Sequence, residues 1–439
     1  MAEELVLTQG RIAPTLLRFA LPFLGASFLQ ALYGAADLFV VGQFSGSAAV
    51  SAVAIGSQIM QTITGAVLGI ATGGTVVIAR HLGEGRGEAA GRAVGTLAVL
   101  FALLALLLTP TMAQGARPII AWMQTPAEAI FPAHRYLLIC ACGIPFIVLY
   151  NAIGGIYRGI GDSKTPMYFI LVACLINVGL DFLLAGALGL GAAGVAAQAG
   201  SSLSFFLYLR KQGLLFPFSR RVLRMEGSEA RAILRVGLPL ALQDALVNLS
   251  FLAITMIVNT LGLVASAAVG VVERIIGFAM LPPSAFCSAV AAMSAQNIGA
   301  GKPERAWKAL WCAIGASLLF GVSVCLFVQV CPMALPWIFD RNAAVMTAAS
   351  QYLRAYSIDC ILVSFVFCIN GYFSGLGKSV IAFAHSMAAT FGVRIPVTYL
   401  MSRIVTDSLF PMGLAAPAAS LLSILICALV LLWMRRSMK

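Results

Sequence analysis

Seven charged residues fall inside long apolar stretches of this sequence, where ionised side chains are rare. Even the gentler insertion scales assign a cost of about 2.5 to 3.5 kcal/mol to an aspartate, lysine or arginine at the centre of a membrane helix. Asp37 and Asp181 are the acids of this kind in the N-terminal half, which has no base at such a position. Because a carboxylate in an apolar setting without a base takes up a proton or binds a cation, this pair is a candidate site for H⁺ or Na⁺.

The two aspartates lie at similar depth in their apolar stretches. Asp37 precedes the outer end of its stretch by about five residues and Asp181 by about six, which places both roughly 8 Å below the surface at 1.5 Å per residue. Asn177 lies four residues before Asp181 and therefore on the same helix face. Its amide can offer an oxygen to a cation or a hydrogen to a carboxylate. We predict a cation site formed by Asp37, Asn177 and Asp181; the alternative is that each acid caps a helix or bonds a backbone group.

The C-terminal half carries acids and bases together in its apolar stretches. Opposite charges at membrane depth can pair with one another, and such a network is possible here with a mainly structural role. Its candidate members are Asp244, Glu273, Arg274, Asp359 and Arg394.

The composition indicates that the apolar stretches are membrane helices. Hydrophobic residues make up 61% of the chain and charged residues 10%, and the mean hydropathy is +0.97. That leaves too little polar surface to cover a water-soluble protein of 439 residues. A run of roughly 20 apolar residues can cross a bilayer as a helix. We predict an all-α integral membrane protein with twelve spans, at residues 13–42, 47–79, 93–114, 130–157, 167–187, 190–209, 233–260, 263–295, 307–331, 346–374, 380–402 and 412–434.

The chain also contains an internal duplication. Residues 79–86 recur as residues 295–302, and residues 159–161 recur at the same spacing as residues 375–377. Because six spans per repeat is an even number, both halves enter the membrane in the same direction and are related by an axis along its normal, with a cleft between them. The predicted organisation is an N-terminal lobe of helices 1 to 6 (residues 1–210), a cytoplasmic linker (residues 211–232) and a C-terminal lobe of helices 7 to 12 (residues 233–439).

Lysine and arginine concentrate in the connections on one side of the predicted helices, including Arg220, Arg221 and Arg224 in the linker. This bias predicts a multi-pass protein of the cell (inner) membrane with both termini in the cytoplasm. The same bias accounts for the net charge of +12, because basic residues on one side orient the protein in the membrane and contact anionic lipid. The charge therefore does not indicate nucleic-acid binding. The ten cysteines and three histidines lack metal-ligand spacing, and no nucleophile and base stand together at membrane depth. We therefore expect no metal, no cofactor and no enzymatic activity.

Several ordered motifs resemble those of the multidrug and toxic compound extrusion (MATE) transporters, over essentially the whole chain. The resemblance implies two six-helix lobes in a V-shaped arrangement. It also implies export of organic cations or other amphipathic compounds in exchange for H⁺ or Na⁺. The motifs that carry it are residues 36–42 (ADLFVVG), the glycine-rich loops after predicted helices 2 and 8, and residues 157–166 (YRGIGDSKTP), 177–181 (NVGLD), 191–197 (GAAGVAA) and 375–378 (GLGK).

The resemblance also implies roles for single residues. Asp37, Asn177 and Asp181 match the cation site of the family's prokaryotic DinF-like branch, and Pro22 matches the point where helix 1 bends in that branch. Where that branch often has a threonine, residues 198–199 of this chain are glutamine and alanine. This departure leaves the choice between H⁺ and Na⁺ open.

The mechanism expected from these features is antiport by alternating access. Binding of H⁺ or Na⁺ at the aspartates would change the packing of helix 1 and release a bound lipophilic, drug-like cation. The expected partners are this organic cation and the membrane lipid. The protein is expected to be a monomer. A flippase for a lipid-linked precursor, from the same superfamily, is the alternative function. The residues expected to line the cavity are Phe28, Tyr33, Phe146, Tyr150 and Met256.

Overall fold

The N-terminal half of the chain, in a computed structural model, consists of long helices. The structure describes residues 7–44, 47–123, 125, 127–184, 224–404 and 408–437. The first five predicted spans are confirmed as helices, whereas the sixth, residues 190–209, lies outside the described residues. The helices are α1 (Ile12–Phe44), α2 (Ser47–Gly83), α3 (Gly87–Trp122), α4 (Ala127–Ile160) and α5 (Lys164–Leu184).

The C-terminal half contains shorter helices, because several predicted spans are interrupted. Predicted spans 8, 10, 11 and 12 each consist of two helices in the structure. The elements are α6 (Gly227–Asn259), α7 (Leu263–Ala279), α8 (Leu281–Gly299), α9 (Pro303–Val330), α10 (Pro336–Phe339), α11 (Ala343–Tyr356), α12 (Asp359–Gly375), α13 (Ser379–Ala389), a π-helical segment (Thr390–Arg394), α14 (Ile395–Ile404), α15 (Phe410–Gly413) and α16 (Ala415–Ser437).

Among the described residues, nine helical stretches are long and apolar enough to cross a membrane. A tenth candidate is the pair α11 and α12, which bend by 47° at their junction. The apolar part of α5, Lys164–Ile176, is shorter. These elements confirm the all-α membrane fold class that the composition predicts.

The bend between α11 and α12 has an identifiable cause. The carbonyl oxygen of Arg354 accepts hydrogen bonds from the Gln329 side chain (2.8 Å) and from the Ser357 hydroxyl (2.9 Å). These side chains bond a carbonyl oxygen that, in a continuous helix, would accept a hydrogen bond from the backbone N–H four residues later. Helix α12 then begins afresh at Asp359.

A π-helical segment interrupts the predicted span 11 just before Pro396. Proline has no N–H to donate and its ring clashes with the carbonyl four residues earlier, so a wider turn relieves the conflict. The segment ends at Arg394. The wider turn therefore determines which way Arg394, the charged residue predicted for this span, faces around the helix.

The duplication is visible in the backbone. Gly85 and Gly301 adopt φ values of 72° and 69°, and Gly161 and Gly377 adopt 100° and 73°. Each pair has the spacing of the duplication and ends a helix in the left-handed conformation that favours glycine. After Gly161 and Gly377, the backbone amide of the following residue, Asp162 or Lys378, donates to the carbonyl oxygen five residues earlier. The two repeats thus share turn geometry as well as sequence.

The described residues form two compact units. The first comprises those of Met1–Thr8, Arg18–Ala241 and Ala295–Gly301, and the second those of Gln9–Leu17, Leu242–Ser294 and Lys302–Lys439. The first unit therefore contains the beginning of α6 and the end of α8, which belong to the second sequence repeat. Among the described residues, each unit has a mainly aliphatic core cluster, with an aromatic contribution from Phe101 in the first and from Tyr352 and Tyr356 in the second.

Candidate functional site

The predicted N-terminal cation site falls on two helices. Asp37 lies in α1, and Asn177 and Asp181 lie in α5. Their side chains lie outside the described residues, so their shared site stays a prediction. Pro22 lies inside α1, which continues through it as a helix.

The residues beside Pro22 are described, and they connect α1 to α4 within the first unit. The guanidinium of Arg158, near the end of α4, lies 5.4 Å from the centroid of the Phe23 ring. Arg158 is buried, and its Nη2 atom has no hydrogen-bond partner among the described residues. A desolvated cation over an aromatic face is attracted by the ring quadrupole. Movement of α1 next to Pro22 would therefore change the surroundings of a buried charge.

Shortly after Arg158 the chain turns from α4 into α5. The Asp162 carboxylate accepts hydrogen bonds from the backbone amides of Lys164 (2.9 Å) and Thr165 (3.1 Å). These amides belong to the first turn of α5, which has no intrahelical acceptor for them. Asp162 is thus a helix cap.

Three of the five charged residues predicted for the C-terminal half come together in the second unit. Arg394 lies 4.1 Å from the centroid of the Phe251 ring and donates to the Tyr356 hydroxyl at 3.3 Å. Its guanidinium also interacts electrostatically with the carboxylates of Asp359 and Glu273. We call Glu273, Asp359 and Arg394 the acid–base cluster.

Asp359 is the most enclosed member of the acid–base cluster. It is 4% exposed and starts α12 directly after the bend. One of its oxygens bonds Ser420, and Oδ1 has no hydrogen-bond partner among the described residues. The N-terminus of a helix favours a negative charge, while an unsatisfied buried oxygen favours a proton or a cation. Asp359 is thus a buried carboxylate at a helix N-terminus with one oxygen that has no hydrogen-bond partner among the described residues.

The two other predicted residues of this half lie apart from the cluster. Arg274 is exposed on α7, and Asp244 is half-buried on α6. The electrostatic partner described for Asp244 is Cys287 of α8. The structure thus brings together a three-residue cluster from the five predicted residues.

The predicted cavity residues differ in exposure. Phe28 is 48% exposed and Met256 is 64% exposed, whereas Phe146 and Tyr150 are half-buried. The side chain of Tyr33 lies outside the described residues. Tyr150 interacts electrostatically with Arg158 and so lies near the contact with α1. The lining of a cavity by these residues stays a prediction.

A buried polar triad in the second unit was not anticipated from the sequence. His385 of α13 contacts Asn370 of α12 through Nε2 (2.6 Å) and Ser423 of α16 through Nδ1 (3.3 Å). All three side chains are buried. Each nitrogen has a partner, which suits a neutral imidazole that holds three helices together. The signal was the presence of His385 and Asn370 in apolar stretches, but their pairing requires the fold.

These elements define a class: a duplicated, all-helical, multi-pass membrane protein with ionisable groups inside its helices. A model of the MatE family matches residues 22–183 and, in the second repeat, residues 239–400. The chain belongs to the MATE family, whose members are secondary transporters rather than enzymes.

Relatives of known name agree with this assignment. The chain is similar to the probable multidrug resistance protein YoeA of Bacillus subtilis, with 27% identity over 97% of this chain and 95% of that protein. It is also similar to a FAD transporter of Shewanella oneidensis, with 23% identity over 97% and 96%.

A solved structure shares the fold. It is described as the outward-facing conformation of a multidrug resistance MATE family transporter, and it matches with a TM-score of 0.91 at 21% identity over 100% of this chain and 98% of that one. The comparisons give the flippase alternative no support, and the DinF-like branch stays a prediction.

Proposed function

We propose that this protein exports organic, mostly cationic amphipathic compounds by antiport against H⁺ or Na⁺. The observation that carries the proposal is the set of ionisable groups inside the helices of a MATE family member. Antiport requires that the coupling ion and the solute each bind the two access states with different affinity. Carboxylates at membrane depth supply this difference, because a bound ion cancels a charge that the bilayer disfavours.

The primary coupling site proposed is Asp37, Asn177 and Asp181. Helix α1 would carry the response, since Asp37 and Pro22 lie on it and Phe23 is tied to α4 by Arg158. The acid–base cluster is the second candidate, because Asp359 has an oxygen without a partner among the described residues. An arginine nearby provides an internal counter-charge whenever the site is empty.

The proposed arrangement in the membrane follows the predicted lobes. Residues 1–210 and 233–439 would form two lobes joined by the linker of residues 211–232, in a monomer of the cell's inner membrane with both termini in the cytoplasm. The distribution of arginine and lysine supports this orientation. Anionic lipid would contact the basic side.

The test is efflux of a fluorescent organic cation from proteoliposomes, under pH and Na⁺ gradients imposed separately. The variants Asp37→Asn, Asp181→Asn and Asp359→Asn remove one carboxylate each at nearly constant volume. Glu88→Gln, an exposed residue in the first turn of α3, is the matched control. We expect at least a tenfold loss of gradient-driven efflux for Asp37→Asn and Asp181→Asn, and wild-type efflux for the control.

The outcomes separate the candidate sites. Loss with Asp359→Asn alone would move the coupling site to the acid–base cluster, and wild-type efflux in all three variants would refute both sites. Transport of FAD, the solute named for the Shewanella relative, should be measured beside the dye. If FAD but no organic cation is transported, the proposed substrate class is wrong.

A further inference from the structure

Three helices of the second unit bring aromatic rings and a guanidinium together at one end. The ring of Trp307, near the start of α9, lies 5.8 Å from the Trp311 ring and 5.9 Å from the Tyr372 ring of α12, measured between centroids, and both pairs are edge-on. The guanidinium of Arg435, near the end of α16, lies 5.4 Å from the centroid of the Trp307 ring. We call Trp307, Trp311, Tyr372 and Arg435 the aromatic–arginine cluster.

The aromatic–arginine cluster lies at a boundary of the membrane. Two of the apolar stretches that can cross a bilayer are Pro303–Val330 and Phe410–Arg436. Trp307 lies just inside the start of the first stretch, and Arg435 lies just before the end of the second. Tryptophan and tyrosine are enriched where lipid headgroups meet the hydrocarbon. Trp311, one helical turn further into its stretch, is 50% exposed. Lipid is therefore the surrounding of this cluster.

The helical period separates Arg435 from its neighbour Arg436. Arg435 lies four residues after Leu431, which is 9% exposed, so it returns to the packed side of α16 and reaches Trp307. Arg436 lies four residues after Leu432, which is 59% exposed, and so follows the outward side of the helix. Two adjacent arginines of equal charge thus differ in whether an aromatic ring holds the guanidinium in place.

The guanidinium of Arg435 keeps its hydrogen-bond donors available. Arg435 is exposed, and within the described parts of the chain its guanidinium has a ring contact but neither a hydrogen bond nor a salt bridge. A guanidinium attracted to the face of an aromatic ring still presents its planar fork of N–H donors. This fork matches two oxygens of a phosphate group, and the paired hydrogen bonds to an anion are among the strong ones in proteins.

The charges around the aromatic–arginine cluster favour a ligand with a net negative charge. Lys308 of α9, Lys378 just after α12 and Arg436 of α16 are exposed basic residues at this end of the three helices. Glu304, the acid in the first turn of α9, interacts electrostatically with Tyr372. The basic residues outnumber it, so a headgroup that carries its own ammonium group would meet repulsion here. An anionic headgroup would be attracted.

We propose that the aromatic–arginine cluster is a binding site for the phosphate of an anionic phospholipid. Arg435 would donate to two phosphate oxygens, Trp307 would hold the guanidinium in place, and Trp311 would contact the upper part of an acyl chain. This goes beyond general contact between lipid and a basic side of the protein, because it assigns one lipid to one position. It does not depend on the proposed antiport.

Native mass spectrometry of the full-length protein in a neutral detergent tests the site. Phosphatidylglycerol is titrated into the wild type and the variants, with phosphatidylcholine as the comparison lipid. We expect Arg435→Gln to weaken binding of the first phosphatidylglycerol about tenfold, because its charge-assisted hydrogen bonds are lost. The matched control is Arg436→Gln, which makes the same change in net charge and should weaken binding only about twofold.

Two more variants separate the geometry of the site from its charge. Arg435→Lys keeps the charge but replaces the planar fork with a point charge, so it should recover only part of the affinity. Trp307→Leu leaves the charge unchanged but removes the ring that holds Arg435, and it should also weaken binding. The apparent unfolding midpoint of each variant without lipid shows that it is folded.

Several outcomes would overturn the proposal. Equal losses in Arg435→Gln and Arg436→Gln would show a diffuse attraction instead of a site, and so would equal affinity of the wild type for the two lipids. Inorganic phosphate at the concentration of the lipid should leave phosphatidylglycerol bound; if it displaces the lipid, the site takes a free anion. Because binding is measured without a solute or a gradient, a failure of the proposed antiport would leave this result unchanged.

Discussion

Replacing Gly73 with alanine should separate α2 from the first half of α6. A Cβ atom at Gly73 would lie 2.8 Å from the backbone nitrogen of Gly237 and 2.9 Å from its Cα, and would overlap the carbonyl oxygen of Ile233. Non-bonded carbon atoms prefer about 3.5 to 4.0 Å, so one helix must move by roughly 0.6 to 1 Å. The neighbouring atoms are backbone, and no side-chain rotation can relieve the clash.

The energetic cost can be isolated with a matched glycine. Overpacking of this kind costs about 1 to 3 kcal/mol, while any glycine-to-alanine change inside a helix gains about 1 kcal/mol in propensity. Gly315 lies inside α9 with no atom within 4 Å of an added Cβ. The propensity gain is common to both variants, so Gly73→Ala should be less stable than Gly315→Ala by about 1 to 3 kcal/mol.

Thermal unfolding of both variants in the same detergent would measure this difference. Because membrane proteins of this size often unfold irreversibly, the comparison should use one heating rate and the apparent midpoint. We expect the midpoint of Gly73→Ala to lie a few degrees below that of Gly315→Ala. Equal midpoints would refute the close approach of α2 and α6.

Two further changes have definite expected outcomes. His385→Ala leaves the buried amide oxygen of Asn370 without its His385 partner, which should lower the free energy of unfolding by about 1 to 3 kcal/mol. Chemical or thermal unfolding would measure this change. An unchanged unfolding midpoint would contradict the triad. Arg305 donates to the Gly10 carbonyl at 2.7 Å, so Arg305→Ala should speed proteolysis of the N-terminal segment several-fold. The exposed Lys308→Ala on the same helix is the control, and equal cleavage of both variants would show that Arg305 does not hold the segment.

Local features of this protein could be predicted from the sequence. The apolar stretches identify the helices that the structure describes, and the recurring glycines identify the turns that end at Gly161 and Gly377. The sequence also marks Asp359 and Arg394 as costly charges. Each of these inferences depends on residues that are close together in the chain.

What the sequence did not reveal depends on distant residues. The bend before Asp359 requires Gln329, a side chain from another helix, to bond the Arg354 carbonyl. The carboxylate that contacts His81 Nε2 belongs to Glu229, 148 residues further along the chain, and no sequence pattern pairs the two. Contacts of this kind depend on which helices pack against each other. Hydrophobic periodicity indicates where helices lie in the sequence but not which helices are neighbours.

The hold on the N-terminal segment has a practical consequence for handling the protein. Leu7 is fully buried, its carbonyl is bonded by Asn297, and Arg305 bonds the carbonyls of residues 9 and 10. An affinity tag or fluorescent protein inserted directly before Leu7 would therefore be joined next to a side chain that contributes to packing.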